Sequence, residues 1–198
     1  MHDLSTDYLG LELKNPIVPS SSPLSRDIAG IRRLEDAGAS AIIMHSLFEE
    51  QIVGEQMAAL DHMDSPGESF AEALSYFPAT DVFGMGPHEY LELIRRIKES
   101  VNIPVIASLN GYTPGGWVEY AKLMEDAGAD AIELNVYHLE TDPLVDALAV
   151  ERRTLEVVRS LKAAIKVPIA LKLSPFYSSL THFCCALDAL GVEGLVLF

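Results

Sequence analysis

The chain has 198 residues, 49% of them hydrophobic, enough for one domain with a substantial core. Acidic residues outnumber basic ones 29 to 14, and the formal charge of -15 sets nucleic acid and anionic membrane surfaces aside as partners. The two cysteines, Cys184 and Cys185, are adjacent inside a helical pattern and read as small buried hydrophobes of a reducing cytoplasm, not as a disulfide framework.

Residues 1–7 lack the basic-then-apolar order of a secretory signal, and no apolar run approaches the ~20 residues that crossing a bilayer requires. A cytoplasmic protein is expected. Residues 4–14 alternate loosely around Leu9-Gly10-Leu11 and predict a small hairpin covering one end of the domain. A strand at 16–19 follows. Pro23 stops it, and Ser25-Arg26-Asp27 offers an N-cap to a helix over 28–37 with Gly38 at its C-terminal turn. Next come a strand at 41–45 and a helix at 87–99, which has Pro87 in its first turn and Tyr90, Leu91, Ile94 and Ile97 at helical spacing. The pattern continues with a strand at 105–109, a helix at 116–127, a strand at 131–135, a helix at 149–165, a strand at 168–173, a helix at 180–190 and a strand at 194–198.

Two phrases recur in this order. Glu35-Asp36-Ala37-Gly38-Ala39 returns as Glu125-Asp126-Ala127-Gly128-Ala129, with a weaker copy at Leu190-Gly191-Val192. A proline precedes a strand at Asn15-Pro16-Ile17, Ile103-Pro104-Val105 and Val167-Pro168-Ile169. Strands that alternate with helices call for a parallel sheet. Six such units amount to three quarters of a TIM (β/α)8 barrel, which takes about 250 residues. The predicted fold is therefore α/β, one partial barrel domain over 1–198 with an N-terminal β-hairpin. The stop inside the sixth strand is read either as a fragment or as a variant closed by other means.

Two connections are long. Residues 46–86 separate a strand from its helix by about forty residues, where roughly two to six are usual, and read as an inserted lid with helical pieces at 49–57 and 68–74. The other spans 136–148. Both fall on the side where a barrel builds its active site.

Polar residues stand where strands end: Ser20 to Ser22, His45-Ser46, Asn135 and Lys172. Lys172, flanked by Ala170, Leu171 and Leu173, has to bury its ammonium unless an anion or polar ligand in a hollow at the strand ends receives it. The alternatives are a lysine that reaches the rim or one that pairs with Glu133. Asn135, on the same strand face as Glu133, offers a donor and an acceptor to a planar heterocycle, or else serves as a turn former. His45 and His138 lack the spacing of a metal motif, so no metal site is expected.

Ala131-Ile132-Glu133-Leu134-Asn135, Leu171-Lys172-Leu173-Ser174-Pro175 and the opening Leu9-Gly10-Leu11 to Asn15-Pro16 resemble the soluble, class 1 dihydroorotate dehydrogenases, and most closely their dihydroorotate-dehydrogenase-like relatives. The resemblance runs in order along the whole chain and covers the first three quarters of the family barrel. It implies an FMN-dependent oxidoreductase of pyrimidine metabolism, acting on a CH–CH bond of dihydroorotate or a related dihydropyrimidine. Lys172 matches the family lysine that stabilises negative charge on the flavin, and Asn135 the asparagine that contacts flavin and substrate. Ser20 and Ser21 fall where the family's first-strand loop approaches FMN, and Asn110 falls at the family's strand position that lines the ring.

Three departures qualify the match. His45-Ser46 stands where the family has a lysine and a serine, which changes the charge of a flavin or substrate contact. After Asn135 the family carries a cysteine or serine base followed by Pro-Asn; here His138 takes the base's place and the Pro-Asn is missing. The loops after strands seven and eight, which bind phosphate in such barrels, are not among these residues. Partners implied are a small-molecule substrate and a homodimer or an electron-transfer subunit. Two other readings stay open: a Schiff-base lyase of the aldolase type that uses Lys172 as nucleophile, and a catalytically inactive truncated barrel with an exposed sheet edge.

Overall fold

A computed structural model describes residues 2–48, 86–111, 114–137 and 139–197. The expected lid at 46–86 and its helical pieces lie almost wholly outside the described residues, and so does His138. The element order is β1 (Thr6–Tyr8), β2 (Leu11–Leu13), α1 (Ile28–Asp36), β3 (Ile42–Phe48), α2 (Pro87–Lys98), β4 (Val105–Asn110), α3 (Pro114–Asp126), β5 (Ala131–Val136), α4 (Ala147–Ala164), β6 (Ile169–Leu173), α5 (Leu180–Asp188) and β7 (Gly194–Val196). Strands β3 to β7 form a five-stranded sheet in sequence order, and each neighbouring pair is parallel. This is the α/β fold of the barrel type that the repeats predict. Among the described residues no helix is long and apolar enough to cross a membrane.

Both repeated phrases have a physical cause. The glycines of the first, Gly38, Gly128 and Gly191, all have positive φ, and in each copy the following residue's N–H reaches back to close the helix: Ala39 to Leu34 O, Ala129 to Met124 O, Val192 to Leu187 O. The glutamates that open the two full copies clamp the start of the second phrase. Glu35 accepts the N–H of Asn102 at 2.8 Å, and Glu125 accepts those of Lys166 and Val167 at 2.7 and 3.0 Å. One residue past the phrase, Asp130 accepts from Val105 N–H and from Lys98 Nζ, both at 2.7 Å, while Glu193 accepts from Ile169 N–H and pairs with Lys162. Carboxylates thus tie the beginnings of the strands together.

The sheet has two dry faces. Met44, Ala107, Leu109, Leu134 and Leu171 pack against the helices, and Ile43, Ile106, Ala131 and Ala170 line the opposite face, which the hairpin closes with Leu9 and Leu13. Leu9 adopts φ 58, a left-handed conformation that costs a branched L-residue roughly 1–2 kcal/mol. Its burial offsets this, because the side chain seats on Gly194, where a Cβ would lie 2.4 Å from Leu9 Cδ2.

Two expectations need correction. Residues 16–19 are not a ladder strand: they run beside β3, with Ser40 N–H on Ile17 O and Ile43 N–H on Pro19 O. Pro16 and Pro19 have no N–H, so a regular ladder cannot form. Cys185 is exposed and Cys184 only half-buried, because that flank of α5 turns away from its buried pair, Phe183 and Leu187.

Candidate active site

Beyond the apolar floor made by the hairpin, the same sheet face becomes polar. Ser46 on β3, Ser108 on β4 and Glu133 on β5 are register neighbours, and so are Asn110, Asn135 and Lys172 on β4, β5 and β6. The Ser46 and Ser108 hydroxyls are 2.9 Å apart, and the Asn135 amide donates to both, at 3.2 and 3.0 Å. Ser21 joins from the loop after residues 16–19, its Oγ 3.2 Å from that of Ser46. Ser20, the chain neighbour of Ser21, is exposed, and Asn110 is half-buried at the end of β4.

Lys172 borders the cluster on the other side. Its ammonium lies 3.9 Å from Glu133 Oε1, with the lysine side chain 26% exposed and the glutamate 1%. The alternative of an ion pair with Glu133 is therefore part of the arrangement, alongside access to the strand ends. Glu133 Oε1 is buried with no hydrogen-bond partner among the described residues. Burial raises the Glu133 carboxyl above its ordinary range, and the charge of Lys172 opposes part of that rise.

A bulge in β3 decides which residue of the pair His45-Ser46 faces this cluster. Ile43 pairs with Ile106 and Ser46 with Ser108, so Met44 and His45 together stand opposite the single residue Ala107. Plain alternation would put His45 on the face of Ile43; the bulge puts Ser46 there instead. The His45 ring packs edge-on against Tyr90, centroids 5.1 Å apart, and Nδ1 lies 3.3 Å from Ser25 O. A carbonyl only accepts, so Nδ1 carries the proton in that contact. Burial lowers the His45 pKa, the Ser25 carbonyl works against that, and Arg26 adds to it. Tyr90 both donates to Ser108 O and accepts from Ser108 N–H, and burial keeps its phenol protonated.

The structure thus brings Ser21, Ser46, Asn135 and Lys172 together and holds His45 apart. Ser108 and Glu133 complete the cluster; the sequence reading passed over Ser108 and named Glu133 as the alternative partner of Lys172 without selecting it as a site residue. The available signal was period two: each is a polar side chain inside an apolar strand, two positions before an asparagine. Cavities among the described residues also lie elsewhere. One of about 140 Å³ sits on the helix side between Trp117, Leu134, Val158 and Tyr177, and one of about 440 Å³ lies between Arg26, His88 and Arg96. Among the described residues no group of three or more His, Cys, Asp or Glu stands close enough to hold a metal ion.

No protein-family model matches the chain. It is 28% identical over 196 residues to the catalytic subunit of dihydroorotate dehydrogenase B (NAD(+)) of Methanocella arvoryzae, covering 94% of this chain and 58% of that protein. It is 25% identical over 197 residues to the subunit of the same name from Methanocaldococcus jannaschii, covering 98% of this chain and 61% of that one. Both relatives are named dihydroorotate dehydrogenases. The chain therefore spans less than two thirds of the length of these curated relatives. Among solved structures it is similar to a phosphonopyruvate hydrolase in complex with oxalate and Mg++, with a TM-score of 0.55 at 15% identity over 93% of this chain and 58% of that one. That likeness is of fold alone.

Proposed function

We propose that this chain carries the flavin-facing part of an FMN-dependent oxidoreductase that acts on a CH–CH bond of dihydroorotate or a related dihydropyrimidine. One observation carries the reading: in a chain whose relatives are named dihydroorotate dehydrogenases, a lysine and a cluster of hydroxyl and amide groups meet where the parallel strands end. The donor set fits such a cofactor. Neutral hydrogen-bonding groups stand on one side and the Lys172 ammonium, beside the Glu133 carboxyl, on the other, and the ammonium suits a planar ring that takes on negative charge.

FMN held by these residues would supply the hydride-accepting chemistry. Lys172 would supply positive charge to the ring from a partly buried position, where it acts more strongly than in water. Asn135, held by Ser46 and Ser108, orients the ring and the substrate, and Ser20, Ser21 and Asn110 border them. The register favours Ser46 over His45 as the β3 contact. His138 is assigned the proton that leaves the neighbouring carbon, a role that rests on the resemblance.

The test is spectroscopic. Reconstituted with FMN and desalted, the chain is expected to keep a visible flavin band that Lys172→Ala weakens. A folded chain that retains no flavin overturns the proposal.

A further inference from the structure

Glu133 is the group in the cluster with no role so far. The residue is 1% exposed on the inner sheet face, and Oε1 has no hydrogen-bond partner among the described residues. An uncompensated carboxylate in such a place is costly enough that it keeps its charge only while a cation stands beside it, and otherwise takes up a proton. The surroundings limit what that cation can be. From β6 comes Lys172 at 3.9 Å, too far for a hydrogen bond and near enough for attraction. Among the described residues, Tyr8 of the hairpin and Tyr90 of α2 are the other titratable groups whose ionisation its charge disfavours, and they remain neutral phenols. Ser108 and Ala170 flank it in register and carry no charge.

We propose that Glu133 is a positioning residue for Lys172 and the proton store of the site: the carboxylate holds the ammonium at the strand ends, and when an anion there draws the ammonium away, the carboxyl binds one proton from solvent. The step balances, since one carboxylate and one proton become one carboxylic acid and no electrons move. The lysine is loosely held, not locked, which is what a group that must turn to a newly formed negative charge requires. The inference deepens the proposed function, because it takes Lys172 as the cation that meets charge in the ring.

Removing the ammonium permanently mimics its departure. In cofactor-free Lys172→Met at pH 7, infrared spectroscopy is expected to show a protonated-carboxyl band that is missing from wild type and from Lys172→Arg, and that Glu133→Gln abolishes in the Lys172→Met background. Absence of the band in folded Lys172→Met overturns the proposal. Should that variant not fold, an acid titration of wild type takes its place: the band lost in Glu133→Gln must emerge at higher pH than that of the bulk carboxyls, and a coincident rise overturns the proposal. FMN binding is scored separately by absorbance. A chain that shows the band and retains no FMN sinks the flavin reading alone, and one that retains FMN without the band sinks the proton store alone.

Discussion

The two ends of the parallel strands are built on opposite plans. Where strands begin, the same device returns from unit to unit: a carboxylate takes the first N–H of a neighbouring strand and a lysine from the preceding helix, as Asp130 does with Val105 and Lys98 and Glu193 with Ile169 and Lys162. Where strands finish, the chemistry changes across the cluster: hydroxyls on β3 and β4, a carboxyl and an amide on β5, an ammonium on β6. Repetition at one end secures the scaffold, and variety at the other makes a site, as barrel architecture separates stability from chemistry.

That separation can be broken experimentally. The largest effect is expected from Asp130→Ala, which leaves Val105 N–H and Lys98 without their acceptor. The loss is about 1–3 kcal/mol in denaturant unfolding, with retained FMN unchanged. A matching loss of FMN would show that the two ends are not independent.

Ser108→Ala at the other end removes one of the two hydroxyls that hold Asn135. It is expected to cost about 0.5–1.5 kcal/mol of stability and also to weaken FMN retention. An effect on stability alone would place Ser108 with the scaffold.

A pH series of Glu133→Gln sharpens the contrast. Because burial raises the Glu133 carboxyl in the folded state, wild type loses stability relative to the variant as pH rises from the unfolded carboxylate range through the folded value. Glu133→Gln should therefore gain on wild type between acid and neutral pH and show no such gain below that range, as read from unfolding midpoints. The smallest effect belongs to His45→Phe, whose ring faces Ser25 and Tyr90: flavin retention is expected to stay within error of wild type. A clear loss would return His45 to the site.

Much of this was legible in the residues. Prolines before strands, glycines after helices and the N-cap at Asp27, whose carboxylate accepts Gly30 N–H at 2.6 Å, are local signals, and each marks an element close to its observed place. Lys172 and Asn135 stood out for a related reason, since a charge or amide in an apolar strand conflicts with its immediate neighbours. The first strand failed where the local signal was ambiguous, because Pro16 and Pro19 mark an extended segment and also deny it a ladder.

The sequence by itself determined the alternation of strand and helix, the parallel sheet and the polar strand ends, because those follow from spacing and from backbone conformations that single residues prefer. Tertiary structure alone decided that Ser46 and not His45 faces the cluster, that Ser108 joins Asn135, and that, of the readings left open for Lys172, the one beside a sealed Glu133 is realised. A bulge reverses the facing of every residue beyond it, and burial belongs to the neighbours a side chain meets across the sheet, neither of which a strand's own residues specify.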